Sequence, residues 1–313
     1  MRAITHALCG TFGCLSVFAL HAAAQCIDRP LPTTGSTRAL AMGDANLAGR
    51  DDDVIFYGPA QLAVARGTSV AAERYMDGLA GGTVATTSRL ASGGIGVGAE
   101  VVEGRNPDSC LQLLALPNGL PAARTISRDM AVVGAAQTYK RTHVGLSAKY
   151  ATQQADEQRT SQFLFDAGAS HDYSLGDFVP LTAAIAVQNI GGSRRDAAAL
   201  GQPFRATVGL ATGGPLGAFD VALATQFGVE RADPRPGGRV NDAIARGGLE
   251  VGYTWLDGYS VAVRAGERTN TSITLARHLT FGAGLVLDRL SFDWAVEDLA
   301  GSRYAQRFGI RLR

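Results

Sequence analysis

The stretch "AFDVALATQFGVE", residues 218–230, reads as a two-faced strand. Phe219, Val221, Leu223, Phe227 and Val229 fall on one side of a period of two, and Asp220, Ala222, Ala224, Gln226, Gly228 and Glu230 on the other. The same division returns along the chain. "RGGLEVGYTW" sets Leu249, Val251, Tyr253 and Trp255 against Arg246, Gly248, Glu250 and Gly252. "YSVAVRAGE" sets Tyr259, Val261 and Val263 against Ser260, Ala262, Arg264 and Gly266, and "LSFDWAVED" sets Leu290, Phe292, Trp294 and Val296 against Ser291, Asp293 and Glu297. The last residues place Tyr304, Phe308, Ile310 and Leu312 opposite Arg307, Gly309, Arg311 and Arg313.

About fourteen such segments can be marked, near 68–76, 80–90, 92–103, 128–140, 142–152, 160–173, 179–190, 203–212, 217–231, 243–255, 258–267, 278–287, 289–298 and 303–312. Their lengths suit tilted membrane-crossing strands, and their connections alternate between short ("LDG", "DRL") and long (104–127). A secreted β-sandwich also alternates, but it hides its apolar face against a second sheet. Here the second face mixes glycine and alanine with charges of both signs, among them Lys149, Asp166, Asp172, Arg205 and Glu230. That face packs a poor dry core and suits a polar lumen, with the bulky side chains turned toward lipid. Tyr150, Tyr173, Trp255, Tyr259 and Tyr304 stand near segment ends, where interfacial girdles need aromatics. The expectation is an all-β protein whose residues 67–313 form a transmembrane antiparallel β-barrel. Its lumen would be lined by His143, Lys149, Arg205, Glu230, Arg246, Glu250, Arg264, Asp293 and Arg307.

Composition agrees. Of 313 residues 39 are glycine, which suits turns and close-packed backbone better than helices, and Lys+Arg 29 against Asp+Glu 28 leaves no basic field for nucleic acid. Arg2, the apolar run from Ala7 to Ala24 and the small residues of "HAAAQ" read as a signal peptide over 1–24, cleaved before Gln25. Export leaves Cys26 and Cys110, which either form one bridge or stay as two thiols. Two distant cysteines and the scattered His143, His171 and His278 give no metal site, and no cofactor is expected. No segment after residue 24 has the roughly 18 apolar residues of a spanning helix.

Residues 25–66 form an N-terminal segment, and its stretch from Gly35 to Leu62 does not alternate. "TRALAMGDANLAG" suits a short helix or turn with Leu40, Met42 and Leu47 as apolar contacts, and "IFYGPAQLA" suits a second helical piece with Pro59 near its start. A compact piece ahead of a wide barrel can plug the lumen. Its polar and aromatic markers are Arg38, Asp51, Asp52, Asp53, Tyr57 and Pro59. The three carboxylates read first as a solvated loop at the periplasmic mouth, and otherwise as a cluster pairing with lumenal arginines or a cation.

The stretch "RALAMGDANLAGRDDDVIFYGPAQLA" resembles the N-terminal signature of the FadL-like outer-membrane barrels, especially the PorV/PorQ branch. That signature has a small-residue turn, paired acids, an aromatic and N-P-A-x-L-A. "FDAGASHDYSLGDFVPLTAAIAVQNIGG", "GGLEVGYTWLDGYSVAVRAG" and "LTFGAGLVLDRLSFDWAVED" are similar to later stretches of that branch, in the same order. Asp44 stands where a second glycine is usual and Gly58 where the asparagine is usual. The resemblance implies fourteen strands, an N-terminal hatch inside the barrel and residence in the outer membrane. It implies passage or shuttling there, with type IX secretion proteins as partners. The alternative is FadL-like transport of hydrophobic small molecules. Outer-membrane lipid is a partner on either reading.

An enzyme would need a constellation. There is no G-x-S-x-G and no H-E-x-x-H, and His143 and Ser147 would lie about 13 Å apart along a strand. "GGIGVG" (93–98) lacks the helix of a nucleotide loop and reads as glycine on a lumenal strand.

Overall fold

The computed structural model describes residues 36–75, 79–105, 125–155, 158–175, 179–191, 202–232, 240–270, 276–299 and 303–313. The expected signal peptide, Cys26 and Cys110 lie outside the described residues. Fourteen strands close into one antiparallel barrel: β1 (Gly67–Tyr75), β2 (Leu79–Leu90), β3 (Gly93–Arg105), β4 (Thr125–Tyr139), β5 (Thr142–Ala155), β6 (Gln158–Leu175), β7 (Val179–Ile190), β8 (Phe204–Leu216), β9 (Phe219–Ala232), β10 (Val240–Leu256), β11 (Tyr259–Asn270), β12 (Ala276–Leu287), β13 (Leu290–Leu299) and β14 (Arg303–Leu312). Each strand pairs with its sequence neighbours, and β1 pairs with β14 from Thr68↔Leu312 to Tyr75↔Ala305, so no edge remains.

Two-residue turns join β2 to β3, β4 to β5, β8 to β9, β10 to β11 and β12 to β13. Ala91, Lys140, Gly217, Gly258 and Asp288 take the left-handed backbone that such hairpins require. All five turns, the start of β1 and the end of β14 share one rim, the end that faces the periplasm in outer-membrane barrels.

The expected two faces are present. Val70, Val133, Leu146, Phe163, Ile185, Leu210, Phe227, Val263, Phe281 and Phe308 are exposed on the outside, while their neighbours in sequence turn inward. An aqueous protein does not surround itself with such a belt, and a bilayer requires one. Tyr139, Tyr173, Phe219, Tyr253 and Trp255 ring the short-turn end, and Tyr150, Phe163, Phe204 and Tyr304 the other. Among the described residues no helix is long and apolar enough to cross a membrane; the crossing elements are strands.

Residues 36–66 lie inside the barrel at its short-turn end. They form the helix α1 (Thr37–Ala41) and two 3-10 turns, Asp52–Phe56 and Pro59–Ala63. Ser36 caps α1 by accepting a hydrogen bond from the Ala39 amide, and Pro59 opens the second 3-10 turn, where its missing N–H costs nothing. Gly43 and Asp44, at φ 69° and 60°, then reverse the chain.

Candidate functional site

The site is the seam between this hatch and the barrel wall, and it has two unlike halves. Toward β2–β6 the contact is apolar. Val54, Ile55, Phe56, Leu62 and Ala63 pack with inward-facing Ala85, Met130, Val132, Ala136, Ala151 and Leu164. Val54, Ile55, Phe56 and Leu62 are fully buried, which at about 1.5–3 kcal/mol per large side chain is a substantial anchor. Arg66 fixes the exit into β1 by donating to the carbonyls of Leu62, Ala63, Ala65 and Gly93.

Toward β10–β14 the contact is ionic. Arg38 makes two parallel hydrogen bonds to Glu250, 2.8 and 2.9 Å, and lies 3.5 Å from Asp51. Asp51 accepts from Arg311 at 3.2 Å; Arg311 reaches Asp293 at 2.9 Å; Asp293 pairs with Arg264 at 2.6 Å; Arg264 pairs with Glu250. These contacts close a ring of three arginines and three carboxylates, two members from the hatch and four from the wall. Ser36 and Asn46 also donate to Asp51, at 2.8 and 2.9 Å. Each member has two partners, so removing one leaves each of its neighbours with a single partner and the ring one charge out of balance. A second clasp joins Asp44 to Arg246. Since 246, 248 and 250 are successive inward positions of β10, the segment 38–44 runs along that strand. Arg38 sits on Glu250, Met42 on Gly248 and Asp44 on Arg246.

Glycine makes this approach possible. A Cβ built on Gly248 would lie 2.5 Å from the Cα and Cβ of Met42, and one on Gly282 or Gly309 would meet Ala41 Cβ or Thr37 Oγ1 at 2.5 Å. On the apolar side, a Cβ on Gly94 or Gly145 would overlap the carbonyls of Leu62 or Pro59. Thr280 bridges the two parts directly, donating to Ala41 O at 3.1 Å and accepting from Gly43 N at 2.9 Å.

The carboxylates of Asp51 and Asp53 are therefore not part of a solvated loop. Asp51 and Asp53 are buried; Asp51 belongs to the arginine ring, while Asp53 Oδ1 has no hydrogen-bond partner. The reason is that the 3-10 turn begins at Asp52 and folds both neighbours inward; the side chain of Asp52 lies outside the described residues. Burial pushes the Asp51 carboxyl up, but Arg38, Arg311, Ser36 and Asn46 more than reverse this and hold it well below the usual carboxylate range. Burial pushes Asp53 up, and Arg307 only partly opposes it.

All nine expected lumen residues face inward, but not as one constellation. Arg307 pairs with Glu73 at 3.1 Å and donates to Thr83; Arg205 pairs with Glu230 at 2.6 Å; Lys149 pairs with Asp166 at 2.6 Å and donates to Phe56 O. His143 stands apart at the short-turn end, between Thr138 (3.0 Å) and Asp172 (3.2 Å). Asp172 also accepts from hatch residue Arg50. Ser147 bonds Asp166 instead of His143. Tyr57 accepts from Gln188 through its carbonyl and meets Asn46 through its hydroxyl. Glu73, Arg128, Glu100 and Thr280 were not singled out by sequence reading, and Arg311 was placed by the period of two on the face of Arg307 without a role. A cavity of about 20 Å³, room for about one water, lies above the hatch beside Phe56, Leu47, Arg205 and Arg246. Among the described residues no group of three or more His, Cys, Asp or Glu side chains is placed to hold a metal ion.

A closed fourteen-stranded barrel plugged by its own N-terminal segment is the class this geometry defines. Two structures of the Pseudomonas putida toluene transporter TodX share the fold. Their TM-scores are 0.55 and 0.51 at 12% identity, covering 89% and 88% of this chain and 97% and 96% of TodX. A TodX mutant described as a monoaromatic hydrocarbon channel gives 0.53 at 11% identity, covering 87% of this chain and 96% of that one. No protein-family model matches the sequence, and no curated protein does.

Proposed function

We propose that this chain is an outer-membrane barrel of the FadL-like superfamily, without catalytic activity, that admits hydrophobic small molecules past a hatch formed by its N-terminal segment. The observation that carries the reading is the apolar half of the seam. There Ile55, Phe56 and Leu62 face Met130, Val132 and Leu164, so a displaced hatch would uncover an apolar wall inside a closed barrel. The shared fold with TodX, described as a toluene transporter, supports the same direction. The protein's contribution is a shielded path, with no bond made or broken. The test is uptake of a monoaromatic hydrocarbon by lipopolysaccharide-bearing cells expressing the full chain. Faster uptake than in cells carrying an empty vector is expected, and equal uptake would sink the reading.

A second reading, PorV/PorQ-like docking of secreted cargo, has support from the ordered motifs of the sequence. Mass spectrometry of what co-purifies from the native membrane in mild detergent separates the two. Stoichiometric hydrophobic molecules favour transport, and secretion components or exported proteins favour docking.

A further inference from the structure

The two halves of the hatch face different chemistries, so they need not move together. The part from Asp51 to Arg66 is continuous with β1, buries its apolar side chains and is tied down by Arg66. The part from Ser36 to Ala48 meets β10–β14 through ion pairs and a few hydrogen bonds, over glycines that leave a smooth furrow, and its apolar contacts are smaller: Met42 and Ala45 on Ala224, Leu47 and Ala48 on Ala184 and Ala186. Arg50, pinned to Asp172 at 2.9 Å, stands between the two parts.

Charge balance makes departure of the first part tolerable. It takes away Arg38 and Asp44, one charge of each sign, and so leaves both Glu250 and Arg246 of the same strand. Solvent already reaches this clasp: the Arg38 and Glu250 side chains are 21% and 16% exposed, against 3% for Asp51. Below it, the inward-facing Asp220 and Thr254 are exposed at the short-turn rim, joined at 3.2 Å.

We infer that the Ser36–Ala48 part swings off β10–β14 while the Asp51–Arg66 part stays seated, opening a hydrophilic path for small ions opposite the apolar path proposed above. Arg246, Arg264 and Arg311 line the furrow with Glu250, Asp293 and Asp51, three charges of each sign. Such a wall passes potassium and chloride almost equally. The furrow spans five strands at about 4.8 Å spacing and loses a helical turn, which leaves room for hydrated ions.

This inference rests on the hatch reading, so the experiment includes a variant that tests that reading alone. The full chain is reconstituted in planar bilayers in potassium chloride as wild type, as Arg38→Gln with Asp44→Asn, and with residues 35–62 deleted. Retained heat-modifiable mobility shows that each barrel is folded. The clasp variant is expected to open at least tenfold more often than wild type, with a potassium-to-chloride permeability ratio near one. In a background with Cys26 and Cys110 replaced by serine, a membrane-impermeant maleimide should label Thr37→Cys, but not Ala60→Cys, when the clasp is broken. If the deletion conducts while the clasp variant stays closed, the inference fails and the plug stands. Should neither conduct, both fail. Equal labelling at the two positions overturns the inference as well, because the hatch then moves as one piece.

Discussion

Two adjacent glycines on β10 test how the hatch is seated. Gly248 faces the lumen beneath Met42, and Gly247 is turned away from it. A Cβ on Gly248 falls 2.5 Å from Met42 Cα, whereas one on Gly247 finds its nearest neighbour, Ala224 O, at 3.8 Å. Carbon atoms at rest stand near 3.5 Å or beyond, so Gly248→Ala drives Met42 back by about 1 Å. That retreat breaks the 2.9 Å bond from Gly43 N to Thr280 and the 3.1 Å bond from Thr280 to Ala41 O. Overpacking at about 1–3 kcal/mol and two bonds at about 0.5–1.5 kcal/mol each sum to roughly 2–6 kcal/mol against the seated hatch. Even the lower figure is a factor of about 30 in population. Gly247→Ala should change stability by less than about 0.5 kcal/mol. Hydrogen exchange of residues 36–48 in detergent micelles reads the difference. Protection should fall at least tenfold in Gly248→Ala and stay at the wild-type level in Gly247→Ala, with unchanged heat-modifiable mobility in both. Equal exchange in the two variants would refute the idea that wall glycines exist to accept hatch backbone.

Leu62→Ala empties a fully buried position of the apolar half and should loosen that half by about 2–5 kcal/mol, seen as faster exchange over 52–66 with 36–48 unaffected. Leu210→Arg, at the middle of β8 on the lipid side, should cost about 2–4 kcal/mol and lower folding yield into lipid vesicles; an unchanged yield would argue against a bilayer around this belt. Asp51 and Asp53 should act in opposite directions. The lowered Asp51 carboxyl stabilises the seated hatch above the ordinary carboxylate pKa of about 4, and that contribution disappears as pH falls through its own lower value. The raised Asp53 carboxyl favours its proton, so its contribution weakens docking as pH rises from about 4 through its raised value. At pH 7 exchange over 36–48 should therefore quicken in Asp51→Asn, and exchange over 52–66 should slow in Asp53→Asn.

The barrel was legible because one physical fact, that strand side chains alternate, is written directly in the sequence. "AFDVALATQFGVE" marks β9 to within a residue or two at each end, and the lumenal face of Arg264, Asp293 and Arg307 follows from the same alternation. Pairings were not legible, since Arg38 and Glu250 are 212 residues apart and nothing local couples them. The departures from the hatch motif have local explanations that only the fold reveals. Asp44 occupies the left-handed turn residue and supplies the partner of Arg246, which a glycine could not. At Gly58 a Cβ would stand 3.2 Å from the Leu47 carbonyl, tight for an asparagine. Glycine on alternate positions looked like an empty lumen wall, when it is the contact surface for another stretch of the same chain.

The seam between β1 and β14 joins Thr68 to Leu312. It is the longest-range strand pairing in the barrel, and loops of that length close slowly because entropy must be lost before any bond forms. Residues 36–51 come before β1, separated from it by residues 52–66, yet Arg38, Ala41 and Asp51 find their partners on β10–β14. Once they hold those strands, only residues 52–66 separate the held segment from β1, so the loop left to close is far shorter than the chain from β1 to β14. The segment that obstructs the finished barrel would thus also serve its assembly, as a tether between the first strand and the last.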